Sequence, residues 1–384
     1  MRPIYLDYNA TTPVAPEAVE AMLPYLREHF GNPSSAHAFG RVARAAVESA
    51  RQAVGDLLNT EPAAILFTGG GTESNNLAIE GVARANPGKR RHLITSAVEH
   101  PSVHEVFGWL ASQGYRVSTL PVNEHGMVSP EELEREIGPE TLLVSVMHAN
   151  NEVGTIQPVA ELARIARRNG ALMHADAAQS IGKIPVDVEA LEVDLLTLAG
   201  HKLYAPKGVG ALFIRAGVRL SPVLHGASHE RGLRPGTEAV AQVAGLAEAA
   251  RLAKRALSTE SAQLRFLRDR LEAGLRRELG EASLRANGDP EQRLPNTLSV
   301  SFHGVRADAL LASIADRVAA SAGSACHARD VRLSPVLRAM GVAPEWGMGT
   351  LRLSVGRYTT AAEVDQAVQA IAARIRQPGN DPAA

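Results

Sequence analysis

Five groups of residues in this sequence have types and spacings suited to chemistry, and most stand where an apolar run gives way to a turn. In Ile65-Leu66-Phe67-Thr68-Gly69-Gly70-Gly71-Thr72-Glu73-Ser74-Asn75-Asn76 a strand-like run passes through three glycines into a helix pattern. Glycines let backbone approach an anion, and the N–H groups and dipole of a helix start favour negative charge. Thr72 adds a hydroxyl. No lysine stands at the phosphate-loop position and the spacing is not that of a dinucleotide fingerprint. Alone, the stretch is equally a flexible turn. In His174-Ala175-Asp176-Ala177-Ala178-Gln179 a carboxylate ends an apolar strand. Burying Asp176 there is costly unless it meets donors or a cation, such as a protonated pyridine nitrogen, and a helix N-cap is the common alternative. Leu198-Ala199-Gly200-His201-Lys202 puts a lysine after another apolar run. Desolvation would make Lys202 a better nucleophile, although its ammonium could equally snorkel to the surface. Ala322-Gly323-Ser324-Ala325-Cys326-His327 holds the only cysteine, among small residues that suggest an exposed loop. As thiolate it would be a nucleophile; a lone cysteine is more often inert core. His100, Asn150-Asn151-Glu152, Arg352 and Arg234-Pro235-Gly236-Thr237 complete the candidates. None of them carries an argument alone.

The elements that must position these residues are legible from periodicity. Ala64–Thr68, His92–Ser96, Thr141–Met147, Leu172–Ala175, Asp194–Ala199 and Gly210–Arg215 are strand-length and largely apolar on successive residues, as in a sheet covered on both faces. Helix patterns lie between them. Ser129-Pro130-Glu131-Glu132 starts one that should stop at Gly138, and Val159 to Asn169 is another, closed by Gly170. The alternation predicts an α/β fold with a mainly parallel sheet. Residues 238–280 predict one or two long helices leading to a smaller α+β domain, with strands at Asn296–Phe302 and Leu351–Val355 and a capping box at Thr360–Glu363. The tail from Gln377 to Ala384 reads as disordered.

At 384 residues the chain can bury a large core and two domains are expected. Forty basic against forty-one acidic residues give no sign of nucleic acid as a direct partner. One cysteine excludes an intrachain disulfide, and the sequence shows neither a signal-peptide pattern nor an apolar run of membrane-spanning length. A soluble, cytoplasmic protein is the expectation, with no membrane and no metal.

Taken in order, the motifs closely resemble the cysteine desulfurases of the nitrogen-fixation and iron–sulfur-cluster type, within the class V aminotransferase group of fold-type I pyridoxal-phosphate (PLP) enzymes. The likeness runs through Tyr5-Leu6-Asp7-Tyr8-Asn9-Ala10-Thr11-Thr12-Pro13, Gly31-Asn32-Pro33-Ser34-Ser35, Thr72-Glu73-Ser74-Asn75-Asn76, His148-Ala149-Asn150-Asn151-Glu152, Gly200-His201-Lys202, Arg234-Pro235-Gly236-Thr237, Gly323-Ser324-Ala325-Cys326 and Leu351-Arg352-Leu353-Ser354-Val355-Gly356-Arg357. It implies a large domain, 15–255, with a seven-stranded, mainly parallel sheet flanked by helices. A smaller α+β domain, 1–14 with 256–384, would carry the Cys326 loop. It also implies that Lys202 attaches pyridoxal 5'-phosphate, Asp176 pairs with the pyridinium nitrogen and Gln179 bonds the ring hydroxyl. His100 would stack on the ring and take part in proton transfer. Gly71, Thr72 and His201 would hold the phosphate, with Thr237 reaching across a homodimer. Asn151 and Arg352 would take the substrate carboxylate, and Cys326 would accept sulfur from L-cysteine as a persulfide, for transfer to an acceptor protein such as an iron–sulfur scaffold or a carrier serving tRNA thiolation.

Two departures stand out. Ala199 replaces a serine that commonly adds a phosphate bond in this family. Cys326-His327-Ala328-Arg329-Asp330, Arg293-Leu294-Pro295-Asn296-Thr297 and the Arg352 stretch look more like the selenocysteine lyases, which release selenium from L-selenocysteine.

Overall fold

Apolar five-residue runs bounded by glycine and polar turns do become strands. A computed structural model describes residues 2–88, 90–327 and 330–376, with side chains throughout except at 324–332. After a short strand β1 (Ile4–Tyr5), the seven strands of the main sheet are β2 (Ile65–Thr68), β3 (His92–Ser96), β4 (Arg116–Leu120), β5 (Thr141–Ser145), β6 (Leu172–Asp176), β7 (Leu195–Ala199) and β8 (Gly210–Ile214). Their order across the sheet is β2-β8-β7-β6-β5-β3-β4. Pairing is parallel from β7 through β4, while β8 runs antiparallel to both its neighbours. The sheet is therefore mainly parallel, seven-stranded and covered on both faces, as expected. β4 was not foreseen: this edge strand has an exposed or half-buried pattern, and its Arg-Val-Ser-Thr-Leu sequence lacks the continuous apolar signal of its neighbours.

Seven helices matter for the site: α1 (Pro16–Arg27), α2 (Ala38–Leu58), α3 (Gly71–Ala85), α4 (Pro101–Ser112), α5 (Pro130–Glu136), α6 (Val159–Arg168) and α7 (Val240–Leu279). α5 stops two residues short of the expected Gly138, because Ile137 has already turned to an extended conformation. α2, α6 and the first half of α7 cover one sheet face through Val47, Val54, Leu162, Ala166, Leu246 and Ala250. α3 and α4 cover the other through Leu77, Val82, Val103 and Phe107.

The 240–279 region is one helix of 40 residues. Its second half buries Leu264, Leu267, Leu271 and Leu275 in a separate core. That core belongs to a four-stranded sheet formed from β9 (Leu284–Asn287), β10 (Thr297–Phe302), a short β12 (Ser321–Ala322) and β15 (Thr350–Ser354), with β11 (Val318–Ala319) pairing in parallel with β1. The helix Ala361–Arg376 closes it, started by the anticipated capping box: Thr360 N–H donates to Glu363 Oε2 at 2.8 Å and Glu363 N–H to Thr360 Oγ1 at 3.2 Å. The segment around Cys326, expected as a loop, is at backbone level a hairpin. β13 (Ser324–His327) pairs antiparallel with β14 (Asp330–Leu333), which satisfies backbone groups that a loop would leave to solvent. The tail 377–384 lies outside the described residues. Among the described residues no helix is long and apolar enough to cross a membrane.

A nearly buried ion pair ties the start of the sheet to the segment that precedes Thr237. Arg51 donates to both oxygens of Glu230 at 3.0 and 2.7 Å, and Glu230 also accepts the Phe67 N–H at 2.9 Å. Glu230 and Arg231 both adopt left-handed φ values, 44° and 61°, which non-glycine residues seldom hold unless surrounding contacts enforce them. Removing one partner strands a buried charge. Arg51→Ala is expected to lower stability by about 3–5 kcal/mol, read as a fall in the urea midpoint. An unchanged midpoint would show that the pair holds nothing.

Candidate active site

The carboxyl ends of β2, β3, β5, β6 and β7 converge on one cavity of about 230 Å³, where ligands of open α/β sheets are generally bound. It is lined by Gly71 and Thr72 from the start of α3 and by His100 and Ser102 from the start of α4. Asn151, Asp176, Gln179, Ala199, His201 and Lys202 complete it from the strand ends. Eight residues singled out from sequence thus meet in one place: Gly71, Thr72, His100, Asn151, Asp176, Gln179, His201 and Lys202.

Lys202 ends a single turn of 3-10 helix after β7. Its ammonium donates to the backbone carbonyl of Asn9 at 2.6 Å. Burial, reinforced by the positive charge of Arg352, pushes its pKa down to about 8. Asp176 is 7% exposed at the end of β6, with Oδ1 accepting the Ala178 N–H at 2.9 Å and Oδ2 accepting Asn75 Nδ2 at 2.8 Å. Gln179 donates from Nε2 to the same Asn9 carbonyl at 3.0 Å. Its side-chain oxygen is held by Lys183, whose ammonium donates to Gln179 Oε1 and to its backbone carbonyl, both at 2.9 Å. Burial holds the Lys183 pKa well below the usual lysine range. Burial and the charges of Lys202, Lys207 and Lys183 push His201 down to about 4, so its imidazole is neutral beside Thr11, whose hydroxyl lies 3.1 Å from Nδ1.

Two expected ligands stand apart. Arg352 borders an adjoining cavity of about 180 Å³ with Glu152, Ser321 and Thr350. Its Nη1 donates to the Asn151 carbonyl at 3.3 Å, and its Nη2 donates to Asp7 at 2.8 Å and Ser321 at 3.0 Å. Its buried Nε has no partner among the described residues. Thr237 is exposed and does not line the cavity of its own chain. The Cys326 side chain lies outside the described residues.

Asn9 is the principal residue that function-seeking inspection passes over. It is fully buried. Its carbonyl receives Lys202 and Gln179, its Nδ2 donates to the Asn151 carbonyl at 3.1 Å and to Thr297 at 2.8 Å, and its Oδ1 accepts Asn296 at 3.0 Å. A backbone carbonyl leaves no trace in side-chain chemistry. Lys183 and Glu99 were missed as well. Glu99 is buried, accepts Ser96 Oγ at 2.5 Å and Met147 N–H at 2.9 Å, and is raised to about 8 by burial, so its carboxyl is mainly protonated at neutral pH.

The description "Aminotransferase class-V" matches residues 4–367. The chain belongs to the class V aminotransferase family. It is 46% identical over 369 residues to the cysteine desulfurase IscS of Methanosarcina thermophila, covering 96% of this chain and 91% of the relative. It is 45% identical over 381 residues to the cysteine desulfurase IscS of Methylococcus capsulatus, covering 98% and 94%. Among solved structures, a NifS-like protein superposes with a TM-score of 0.91 at 39% identity, covering 98% of this chain and all of that one. A structure described as SspA in complex with cysteine gives 0.81 at 35% identity, covering 93% and 99%. These relatives do not favour the selenocysteine-lyase likeness.

Class V aminotransferases of this kind are pyridoxal-phosphate enzymes, and the donor set suits that cofactor. The cavity offers an amine-bearing lysine, a carboxylate for a ring cation, and helix-start N–H groups with a threonine hydroxyl for a phosphate. Ala199 contributes only a methyl group to that end. For the cofactor-stripped protein, covalent capture of added pyridoxal phosphate is expected to accelerate as pH rises and to level off above about 8. A rate still climbing steeply beyond pH 10 would mean that Lys202 keeps an ordinary lysine pKa.

Proposed function

We propose that this chain converts L-cysteine to L-alanine with pyridoxal 5'-phosphate and passes the sulfur, by way of a persulfide on Cys326, to an acceptor protein. The observation that carries the reading is the convergence of Lys202, Asp176 and Gln179 on one cavity, with the Lys202 amine held by the Asn9 carbonyl. Bound there, the cofactor supplies an electron sink that labilises bonds at the substrate α-carbon and, through it, the carbon–sulfur bond.

The chain's own residues do the rest. Lys202 attaches the cofactor, and its depressed pKa supplies the neutral amine this needs. Asp176, fixed by two donors, holds the ring nitrogen protonated; Gln179, fixed by Lys183, presents its amide to the ring hydroxyl. Gly71, Thr72 and His201 hold the phosphate. Thr237, turned outward on its own chain, is assigned to the partner's site in a homodimer. Arg352 and Asn151 take the substrate carboxylate, and the Nε of Arg352, without a partner among the described residues, leaves it a donor to give. The Cys326 thiolate attacks the substrate sulfur; the new sulfur–sulfur bond forms as the carbon–sulfur bond breaks. A division into a large unit, 15–255, and a small unit, 1–14 with 256–384, is supported by separate cores meeting along α7. A cytoplasmic site of action belongs to the same reading.

Cys326→Ala is expected to retain bound cofactor, seen in its visible absorbance, and to release no sulfide from L-cysteine in the presence of thiol reductant. Full desulfuration by that variant would overturn the persulfide route. Arg352→Ala removes a charge-assisted contact worth about 1.5–3 kcal/mol, so KM for L-cysteine is expected to rise by about 10- to 100-fold while the absorbance persists. An unchanged KM would assign the carboxylate to other residues.

A further inference from the structure

Asp176 and His100 lie on different strand ends, yet a continuous set of short hydrogen bonds joins them. Asn75, buried on the first turns of α3, donates from Nδ2 to Asp176 Oδ2 at 2.8 Å and to Ser102 Oγ at 2.8 Å. The amide cannot be turned the other way, because Oδ1 would then face a carboxylate. Both Nδ2 protons are thereby committed, and Ser102 Oγ is an acceptor towards Asn75. Its own proton is free for His100 Nδ1, which lies 2.8 Å away.

The backbone closes the argument. His100 is the N-cap of α4, and the Ser102 N–H donates to Nδ1 at 3.1 Å. An amide N–H can only donate, so it adds to the hydroxyl's preference for a lone pair on Nδ1. An imidazolium there would point a proton at that N–H and would also sit at the positive end of a twelve-residue helix. Although the residue is exposed, desolvation of its ring holds the His100 pKa below the ordinary histidine value and acts in the same direction. The proton of the neutral ring is therefore on Nε2, the nitrogen not engaged by the helix start.

We propose that Asn75 and Ser102 are positioning residues that lock His100 as the neutral Nε2–H tautomer, so that this histidine meets the bound substrate and cofactor as a hydrogen-bond donor and not as a resting-state base. The tautomer stands on the geometry alone; the donor role rests on the proposed function above. Asp176 fixes Asn75, Asn75 fixes the Ser102 hydroxyl, and the hydroxyl with its own N–H fixes Nδ1. The group that holds the ring cation thus also sets the face that His100 shows to the reacting atoms.

The test is ¹⁵N NMR of the purified protein with labelled histidine at pH 7.5, recorded as isolated and after cofactor removal, with His100 assigned by its loss in His100→Gln. In both samples we expect one resonance of unprotonated type, from Nδ1, and one of protonated type, from Nε2. Ser102→Ala and Asn75→Ala should draw the two towards each other as tautomers mix, and Ser102→Thr, which keeps the hydroxyl, should restore their separation. An Nδ1–H tautomer or an imidazolium in the wild-type protein would overturn the proposal, as would a Ser102→Ala spectrum identical to wild type. Circular dichroism matching wild type certifies that the variants are folded. If Ser102→Ala and Asn75→Ala are not folded, an unsplit or mixed wild-type signal still decides against the lock. Because no turnover is measured, a locked tautomer in a protein inactive on L-cysteine would count against the proposed function and leave the lock standing.

Discussion

The arrangement turns on a half-buried lysine ammonium on the wall of the cavity. Lys202 stands beyond the end of an apolar central strand, near the guanidinium of Arg352, with the Asn9 carbonyl as its hydrogen-bond acceptor at 2.6 Å. Desolvation and a neighbouring like charge both favour the free amine. A carbonyl tolerates either protonation state, accepting from an ammonium or an amine, whereas a carboxylate in its place would hold the proton and quench the nucleophile. That requirement explains why the N-terminal segment, remote in sequence, passes over the Lys202 turn. Thr12 donates to the His201 carbonyl through both its N–H and its hydroxyl, each at 3.0 Å, while Thr12 Oγ1 receives the Tyr204 N–H at 2.9 Å.

The same segment makes the site a joint product of two cores. Asp7 and Asn9 bond residues of the four-stranded sheet, Arg352 and Thr297, while the Asn9 carbonyl faces the end of the main sheet. Lys183 and Asn75 then act at one remove: the first fixes the Gln179 amide, the second fixes Asp176 and, through Ser102, the His100 ring. Buried polar groups of this sort are costly unless each finds a partner. Most do here, Asn75 Oδ1, Glu99 Oε2 and Arg352 Nε being without a partner among the described residues, and the paired groups give the cavity a defined set of donors and acceptors.

Much of this was readable from sequence, and for particular reasons. The strand ends that deliver Asp176 and Lys202 are announced by apolar runs followed by a charge, and the Gly69–Gly71 turn by its composition. The family likeness then assigned roles that no single motif justified. Other features were not legible. β4 is an edge strand, and its half-exposed residues carry no continuous apolar signal. The Asn9 carbonyl contributes through backbone alone. Lys183 and Glu99 carry no motif, and only the packing of the folded chain shows that they are buried. Asn75 stood in a motif without a role of its own, and Ser102 in none, because their link exists only where the fold brings α3 and α4 side by side.

The most direct test of the central claim is to reduce the cofactor-loaded protein with borohydride and map the modified residue by peptide mass spectrometry. A pyridoxyl group on the peptide containing Lys202, and on no other lysine, is the predicted result. Attachment at Lys183 or Lys207, each of which also lies near this end of the sheet, would contradict the assignment of Lys202 and the role given to its desolvated amine.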